Sequence, residues 1–380
     1  MSVNEFIASY YGSREFHGQS ASETFRDLID WPALNSILRF HRLEWPRVRL
    51  SRSGDAVPLS EYTQEVVRRN GPPYRKLVPA RLQRTLSAGA TLVLDRVDLL
   101  HEPVSRAAYE LERALGSPTF VNLYASWGES GGFEMHWDDH DVIVVQIYGE
   151  KEWTVAGPTR KWPLHKDVKA NPRPAGDDAH TLLMKPGSSL YLPHGWWHSA
   201  RPTGGPSLHL TFGVDPGNGI DLLTWTVDRL RDDEVLRQRL PLHASGPDRS
   251  RYLAEVRARV LRILDDPGLL DDFELHESAC GEATPEYSLP AMRPEGETVR
   301  WLAPRAVLVP RSDGDGIVLH ANRKRITFQS RAETFLKELM DSGELSLDRS
   351  RSAEKYGLDR QDMDTLLEEL LKLGIVSAPG

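Results

Sequence analysis

Two triplets of the form His-x-Asp stand in this chain, His136-Trp137-Asp138 and His165-Lys166-Asp167. An imidazole and a carboxylate two residues apart suit a divalent metal, because residues i and i+2 of a strand project to one face. With 13 histidines in the chain, about one such triplet is expected by chance, so context has to separate them. His136 and Asp138 follow the Gly131-Gly132 turn and head the extended run DVIVVQIYG. They are therefore expected at the start of a strand, aimed into a barrel. His165 and Asp167 lie in WPLHKDVKANPRPAGDDAH, whose Pro, Lys and Asp content reads as a surface loop. That second triplet is taken as a chance match.

A third ligand should come from a later, facing strand. The segment Pro193-His194-Gly195-Trp196-Trp197-His198 follows the apolar run SSLYL and offers His198. His194 falls in the turn before that strand, and His140 shares the parity of His136 but lies four residues on, so both are weaker choices. Two imidazoles and one carboxylate on one octahedral face form the set that holds Fe(II) and leaves three positions free. An oxygenase using 2-oxoglutarate fills two of them with that cosubstrate and one with dioxygen. It also needs a buried cation for the distal carboxylate, since an unpaired charge there is costly. Lys151 heads KEWTV just past the Gly149 turn, on what reads as the return strand.

Two further strands alternate polar and apolar residues. Ser207, His209 and Thr211 share one face against Leu208, Leu210 and Phe212, and Asn122 and Tyr124 oppose Val121 and Leu123. A barrel with a polar interior and an apolar outer layer gives this pattern, and so does a sheet with one face in water.

The elements that must position these residues are legible in outline. From 118 to 214, short β-branched and aromatic runs alternate with Gly and Pro turns, the spacing of an antiparallel barrel or jelly roll. Before it, Pro32 opens a helix with Leu34, Ile37 and Leu38 on one face; strands are expected at 47–50 and 91–94, and a helix at 103–115 ending on Gly116. Beyond Pro216 the strand pattern stops for about 90 residues, and 219–240 and 249–264 carry helical periodicity. Strands return at 307–309, 317–319 and 326–328, followed by helices at 331–341, 350–356 and 360–373. Short strands with three small helices suit a winged-helix-like module.

The chain has 380 residues, enough for two or three domains. A net charge of −8 argues against a protein that binds by neutralising phosphates, and residues 301–380 hold 12 Lys/Arg against 13 Asp/Glu, too neutral for a nucleic-acid reader. The single cysteine, Cys280, excludes a disulfide framework. No apolar run approaches the roughly 20 residues of a membrane helix, and Met1 to Tyr11 carries no readable secretory signal, so a cytoplasmic location is expected.

Residues 119–213 together resemble the JmjC-type cupin oxygenases, most closely the ribosomal oxygenases, in NLYASWGESGGFEMHWDDHDVIVVQIYGEKEW, LYLPHGWWHSA and SLHLTFG. The order of domains resembles that family over nearly the whole chain. The resemblance implies an α+β fold: a double-stranded β-helix (jelly-roll/cupin) barrel with N-terminal elaboration at 1–217, a helical dimerisation segment at 218–290 and a winged-helix-like domain at 291–380. It implies that His136, Asp138 and His198 hold iron, that Lys151 pairs with the distal carboxylate of 2-oxoglutarate, and that Asn122, Tyr124 and Thr211 line the cosubstrate pocket. Relatives in that family hydroxylate Arg or His side chains of ribosomal proteins, which implies a protein or peptide substrate and a homodimer. The Trp-rich collar of Trp127, Trp137, Trp196 and Trp197 matches no substrate signature. The rival readings are the same chemistry on a methylated lysine, a peptide natural product or a small metabolite, and a catalytically silent cupin used as a binding scaffold.

Overall fold

The structure is a computed structural model and describes residues 1–380 except 68, 70, 130, 165–170, 281–296, 313 and 379–380. The chain divides into two compact units, Met1–Pro216 and Gly217–Gly380. The first contains thirteen described strands: β1 (Phe16–Gln19), β2 (Val48–Arg52), β3 (Asp55–Ala56), β4 (Thr63–Val66), β5 (Tyr74–Leu77), β6 (Thr91–Leu94), β7 (Thr119–Ser126), β8 (Asp141–Tyr148), β9 (Lys151–Ala156), β10 (Ala179–Met184), β11 (Ser188–Leu192), β12 (Trp197–Pro202) and β13 (Ser207–Val214). Its helices are α1 (Val3–Ser9), α2 (Trp31–Phe40), α3 (Pro79–Ser87) and α4 (Glu102–Leu115). Eight strands form one sheet in the order β1-β11-β8-β13-β7-β6-β2-β3, three form a second in the order β10-β9-β12, and β4 and β5 make a separate ribbon.

Local chemistry explains the helices. The Asp30 carboxylate accepts from the Ala33 amide and Pro32 sits in the first turn of α2, while α4 stops at Gly116 in the left-handed region. Their apolar stripes pack on one face of the large sheet. Leu34, Ile37, Val104 and Ala108 meet Val121, Leu123 and Ala125 of β7 and Leu208, Leu210 and Phe212 of β13. The opposite face of that sheet meets the small sheet through a second core of Val142, Val144, Leu190 and Leu192 with Trp153, Val155 and Met184. Strand β8 is thus covered on both sides, which is why its sequence reads as an unbroken VIVV run rather than an alternation.

Two expectations are corrected here. Strand β9 does not return along β8; the Gly149 turn carries the chain across to the small sheet, where β9 pairs with β10 and β12. Gly149 has φ +64°, and a Cβ there would lie 2.1 Å from the Pro206 carbonyl oxygen. The buried Gln146 amide donates to the Tyr148 and Gly149 carbonyls, acceptors that a hairpin ladder would otherwise use. The expected helix over 219–240 is broken in the second unit. There α5 (Gly219–Arg229) ends in a tight turn and α6 (Glu234–Arg237) restarts on Asp233, whose carboxylate accepts from the Val235 and Leu236 amides. In the stretch RDDE the short acidic side chain favours a cap over helix interior.

The second unit continues with α7 (Gly246–Leu264), α8 (Leu269–Cys280), β14 (Glu297–Trp301), β15 (Val307–Pro310), β16 (Ile317–Ala321), β17 (Lys324–Phe328), α9 (Glu333–Ser342), β18 (Glu344–Leu347), α10 (Arg349–Lys355), α11 (Arg360–Lys372) and β19 (Val376–Ser377). Its sheets run β18-β14-β19 and β15-β16-β17. Strand β14 lies inside the stretch expected to lack strands, and β18 fills the gap between the helices expected at 331–341 and 350–356, where no element was expected. The division expected near residue 290 falls in 281–296, outside the described residues. No helix among the described residues is long and apolar enough to cross a membrane.

Candidate metal centre and anion pocket

His136, Asp138 and His198 each bring a ligand atom to within 4.8 Å of the others, and among the described residues no other cluster of three such groups occurs. His198 lies on β12, but His136 and Asp138 are not on β8 as the spacing suggests; they sit in the loop before it. The reason is burial. A strand covered on both faces cannot hold HWDDH, so the polar run is left at the rim. Backbone bonds fix the loop there instead. The His136 amide donates to the His198 carbonyl (3.0 Å), the His198 amide to the His136 carbonyl (2.7 Å), and the Gly195 amide to the Asp138 carbonyl (2.8 Å).

The side chains are oriented for coordination. His136 Nδ1 lies 2.8 Å from the Glu134 carbonyl and His198 Nδ1 lies 3.1 Å from the Trp196 carbonyl. Donation to those carbonyls puts the proton on each Nδ1 and leaves each Nε2 lone pair free. His198 Nε2 is 3.4 Å from Asp138 Oδ2, and the two imidazole centroids are 4.4 Å apart. Burial, then the neighbouring His136, push the His198 imidazole toward its neutral form, the form that binds metal. Ligand bonds of about 2.0–2.2 Å to one ion would require only small adjustments of these separations. Two neutral nitrogens and one carboxylate oxygen therefore fit a divalent first-row metal with positions to spare.

The competing histidines are engaged elsewhere. His140 places Nδ1 3.3 Å from Asp139 and its ring on Phe120, and His194 turns its Nδ1 to Asp141 Oδ1 at 3.5 Å. His165 and Asp167 lie outside the described residues.

Lys151 opens β9 and is buried, 3% exposed. Its ammonium nitrogen is 3.0 Å from His209 Nδ1, and among the described residues it has no carboxylate within ion-pair reach. Burial pushes the amine down to about 7, and burial with Lys151 pushes His209 well below its ordinary range. A buried amine with no acid beside it is a ready partner for an incoming carboxylate.

Register brings the remaining expected residues to the same space. Thr211 pairs with Asn122 and His209 with Tyr124 across β13 and β7. The Tyr124 ring stacks on His209 at 4.9 Å, and burial followed by Asp138 keeps its phenol protonated. Asn122 is partly committed, since its Oδ1 accepts from the Arg96 amide at 3.0 Å. The water-facing alternative for these strands is thus set aside for His209, which is 4% exposed.

Two residues were not singled out from sequence. His209 was visible only as one of an alternating polar set, and Trp153 only as an apolar strand residue. Trp153 stands between Lys151 and Val155 on one face of β9, its ring 5.9 Å from His198 and 5.6 Å from His209, and its buried Nε1 has no hydrogen-bond partner. The period of two along β9 was the available signal. Of the tryptophan collar, Trp127 packs on Trp31 and Trp197 donates to Thr159, which makes these two packing residues.

Residues 99–222 match the family model described as JmjC domain, and the chain carries that domain. The chain is 35% identical over 95 residues to the bifunctional lysine-specific demethylase and histidyl-hydroxylase NO66 of Drosophila persimilis, covering 25% of this chain and 14% of that protein. It is 30% identical over 161 residues to ribosomal oxygenase 2 of Rattus norvegicus, covering 40% of this chain and 34% of that protein. It therefore spans only about a third or less of the length of these curated relatives. Its fold is similar to that of YcfD, a ribosomal oxygenase from Escherichia coli solved with cobalt and 2-oxoglutarate, at a TM-score of 0.63 and 17% identity over 100% of this chain and 99% of that one. The fold is thus of the JmjC cupin type with mixed helices and sheets.

Proposed function

We propose that this chain is an Fe(II)- and 2-oxoglutarate-dependent dioxygenase of the ribosomal-oxygenase kind that hydroxylates an Arg or His side chain of a protein, with ribosomal proteins as its substrate class. One observation carries the reading. A two-imidazole, one-carboxylate cluster and a buried amine without an acid face the same space between two sheets. That pairing matches the two ends of a chelating dicarboxylate. The relatives named as hydroxylases and oxygenases and the neighbour bound to cobalt and 2-oxoglutarate support it.

When bound, Fe(II) would supply the chemistry by which dioxygen splits 2-oxoglutarate into succinate and carbon dioxide, one oxygen atom entering succinate and the other a substrate C–H bond. The chain's own residues do the rest. His136, Asp138 and His198 hold the metal and leave positions open. Lys151 gives the distal carboxylate a buried cation, and His209, Tyr124, Thr211 and Asn122 line its path. Val142, Val144, Val155 and Leu192 pack with Trp153 into an apolar core beside the site, which limits the entry of water.

In the same reading residues 1–217 form a double-stranded β-helix domain, 218–290 are a helical dimerisation segment, and 291–380 are a winged-helix-like, protein-facing module rather than a nucleic-acid reader. The protein then works as a cytoplasmic homodimer. The test is to incubate the chain with Fe(II), 2-oxoglutarate and intact ribosomal proteins and to follow succinate and protein mass. A gain of one oxygen on Arg or His of one protein supports the proposal. Loss of a methyl mass, or turnover only with small molecules, would favour the rival substrates.

A further inference from the structure

Asp141, the first residue of β8, is a carboxylate at 1% exposure, and among the described residues no lysine or arginine lies within ion-pair distance of it. A buried carboxylate persists only if hydrogen bonds replace its water. Here the Tyr191 hydroxyl donates to Oδ2 at 2.6 Å and the His194 amide donates to Oδ1 at 2.8 Å, with His194 Nδ1 3.5 Å from Oδ1. Tyr191 is itself held from the N-terminal segment: the Gly12 amide donates to its hydroxyl oxygen at 2.6 Å and Phe6 packs edge-on against its ring at 4.9 Å.

The partners of Asp141 lie at the metal centre's supports. Its acceptor fixes the amide of His194, and the next amide, Gly195, donates to the Asp138 carbonyl at 2.8 Å. One turn is thus tied on one side to Asp141 and on the other to the loop that carries Asp138. Three residues later the same segment delivers His198. The turn has little freedom to compensate, because Gly195 has φ +80° and a Cβ there would lie 2.5 Å from Pro163.

We infer that Asp141 is a positioning residue for the metal centre: through the His194–Gly195 turn it sets the spacing between Asp138 and His198, while the Tyr191 hydroxyl only satisfies its second oxygen. The inference rests on the metal site proposed above. It names a distinct determinant of metal affinity, one that coordinates nothing itself. Groups that orient ligands in this way commonly change metal affinity by about 10- to 100-fold when removed.

The experiment is titration of the full chain with Co(II) alone, followed by the visible d–d bands, which report both affinity and coordination number. The wild type should bind one equivalent, and His198→Ala should lose it. If the wild type binds no Co(II), the proposed metal site fails and not this inference. Given binding, Asp141→Ala should weaken Co(II) at least tenfold in a chain whose near-ultraviolet circular dichroism is native. Asp141→Asn keeps an acceptor for the His194 amide and should stay within about threefold. Tyr191→Phe removes only the outer limb and should also stay within about threefold, although it too lowers stability. Should Asp141→Ala not fold, Asp141→Ser, whose hydroxyl falls short of the His194 amide, carries the same tenfold expectation. The inference is overturned if the alanine or serine variant binds like the wild type, or if Tyr191→Phe loses as much affinity as they do.

Discussion

At the scale of single residues, the proposed site assigns metal binding and cosubstrate binding to different side chains. Asp138 supplies the only anionic ligand of the cluster, and its Oδ2 lies 3.4 Å from His198 Nε2. Asp138→Ala should therefore abolish succinate formation and leave too little metal affinity to detect at micromolar Co(II). In the proposed site Lys151 would serve the other end. Its amine is pushed down to about 7 by burial, against an ordinary value of 10.5. The free protein is thus neutral there above pH 7, whereas a bound carboxylate requires the charged form. Binding then takes up a proton, so affinity for 2-oxoglutarate should be flat below about pH 7 and fall about tenfold per pH unit above it. Calorimetry in buffers of different ionisation heat, on Mn(II)-loaded protein, checks both the slope and the proton. Lys151→Met should remove the slope and weaken binding at pH 6.5 by roughly 10- to 100-fold, the worth of a hydrogen bond to a charged group. A wild-type affinity that rises with pH would contradict the assignment.

Elements decide whether those residues meet, and Gly149 is the clearest case. Its turn transfers the chain from the large sheet to the small one and so delivers Lys151 opposite His209. Gly149→Ala meets the Pro206 carbonyl in a left-handed backbone. The expected cost is about 2–4 kcal/mol, read from the midpoint of urea unfolding, with loss of 2-oxoglutarate affinity in whatever folds. That turn also marks the limit of what the sequence discloses. Period-two patterning in 119–126 and 207–214 located β7 and β13, and Pro32 and Gly116 bracketed α2 and α4. Patterning could not say that β9 changes sheets, because an apolar strand looks alike in either partner's company. Nor could the His136-Trp137-Asp138 spacing say whether the triplet rides on a strand. The structure sets it in the loop before β8, and loop and strand alike can bring i and i+2 together. Strands β14 and β18 escaped because Glu297, Arg300 and Glu344 break their apolar runs. Buried polar contacts such as Lys151 with His209 leave no local trace at all, because 58 residues separate the partners.

For the whole molecule, the proposed homodimer has a physical basis in the second unit. Ile220, Leu223 and Val227 recur at helical spacing on α5 and are 56%, 48% and 59% exposed. Leu253 on α7 and Leu270 on α8 are 63% and 66% exposed. Isolated exposed leucines are ordinary, but a stripe at i, i+3 and i+7 is the pattern of a helix that expects a partner. Charge opposes association here: a chain of net charge −8 repels its copy, so an apolar contact has to supply the attraction. Salt then distinguishes the contact from an ionic one. Raising sodium chloride screens the repulsion without weakening apolar burial, so the dimer should hold or tighten between 50 and 500 mM, about 14 and 4 Å of Debye length. Light scattering should give twice the chain mass across that range. Leu223→Glu with Val227→Glu places two carboxylates in the stripe of each copy, and burying them unpaired costs more than the contact can return. That variant should run as a monomer at micromolar concentration while binding Co(II) with wild-type affinity, because the stripe belongs to the second unit and the metal cluster to the first. A wild type that is monomeric at high salt, or a double variant that remains dimeric, would remove this helical face from the assembly.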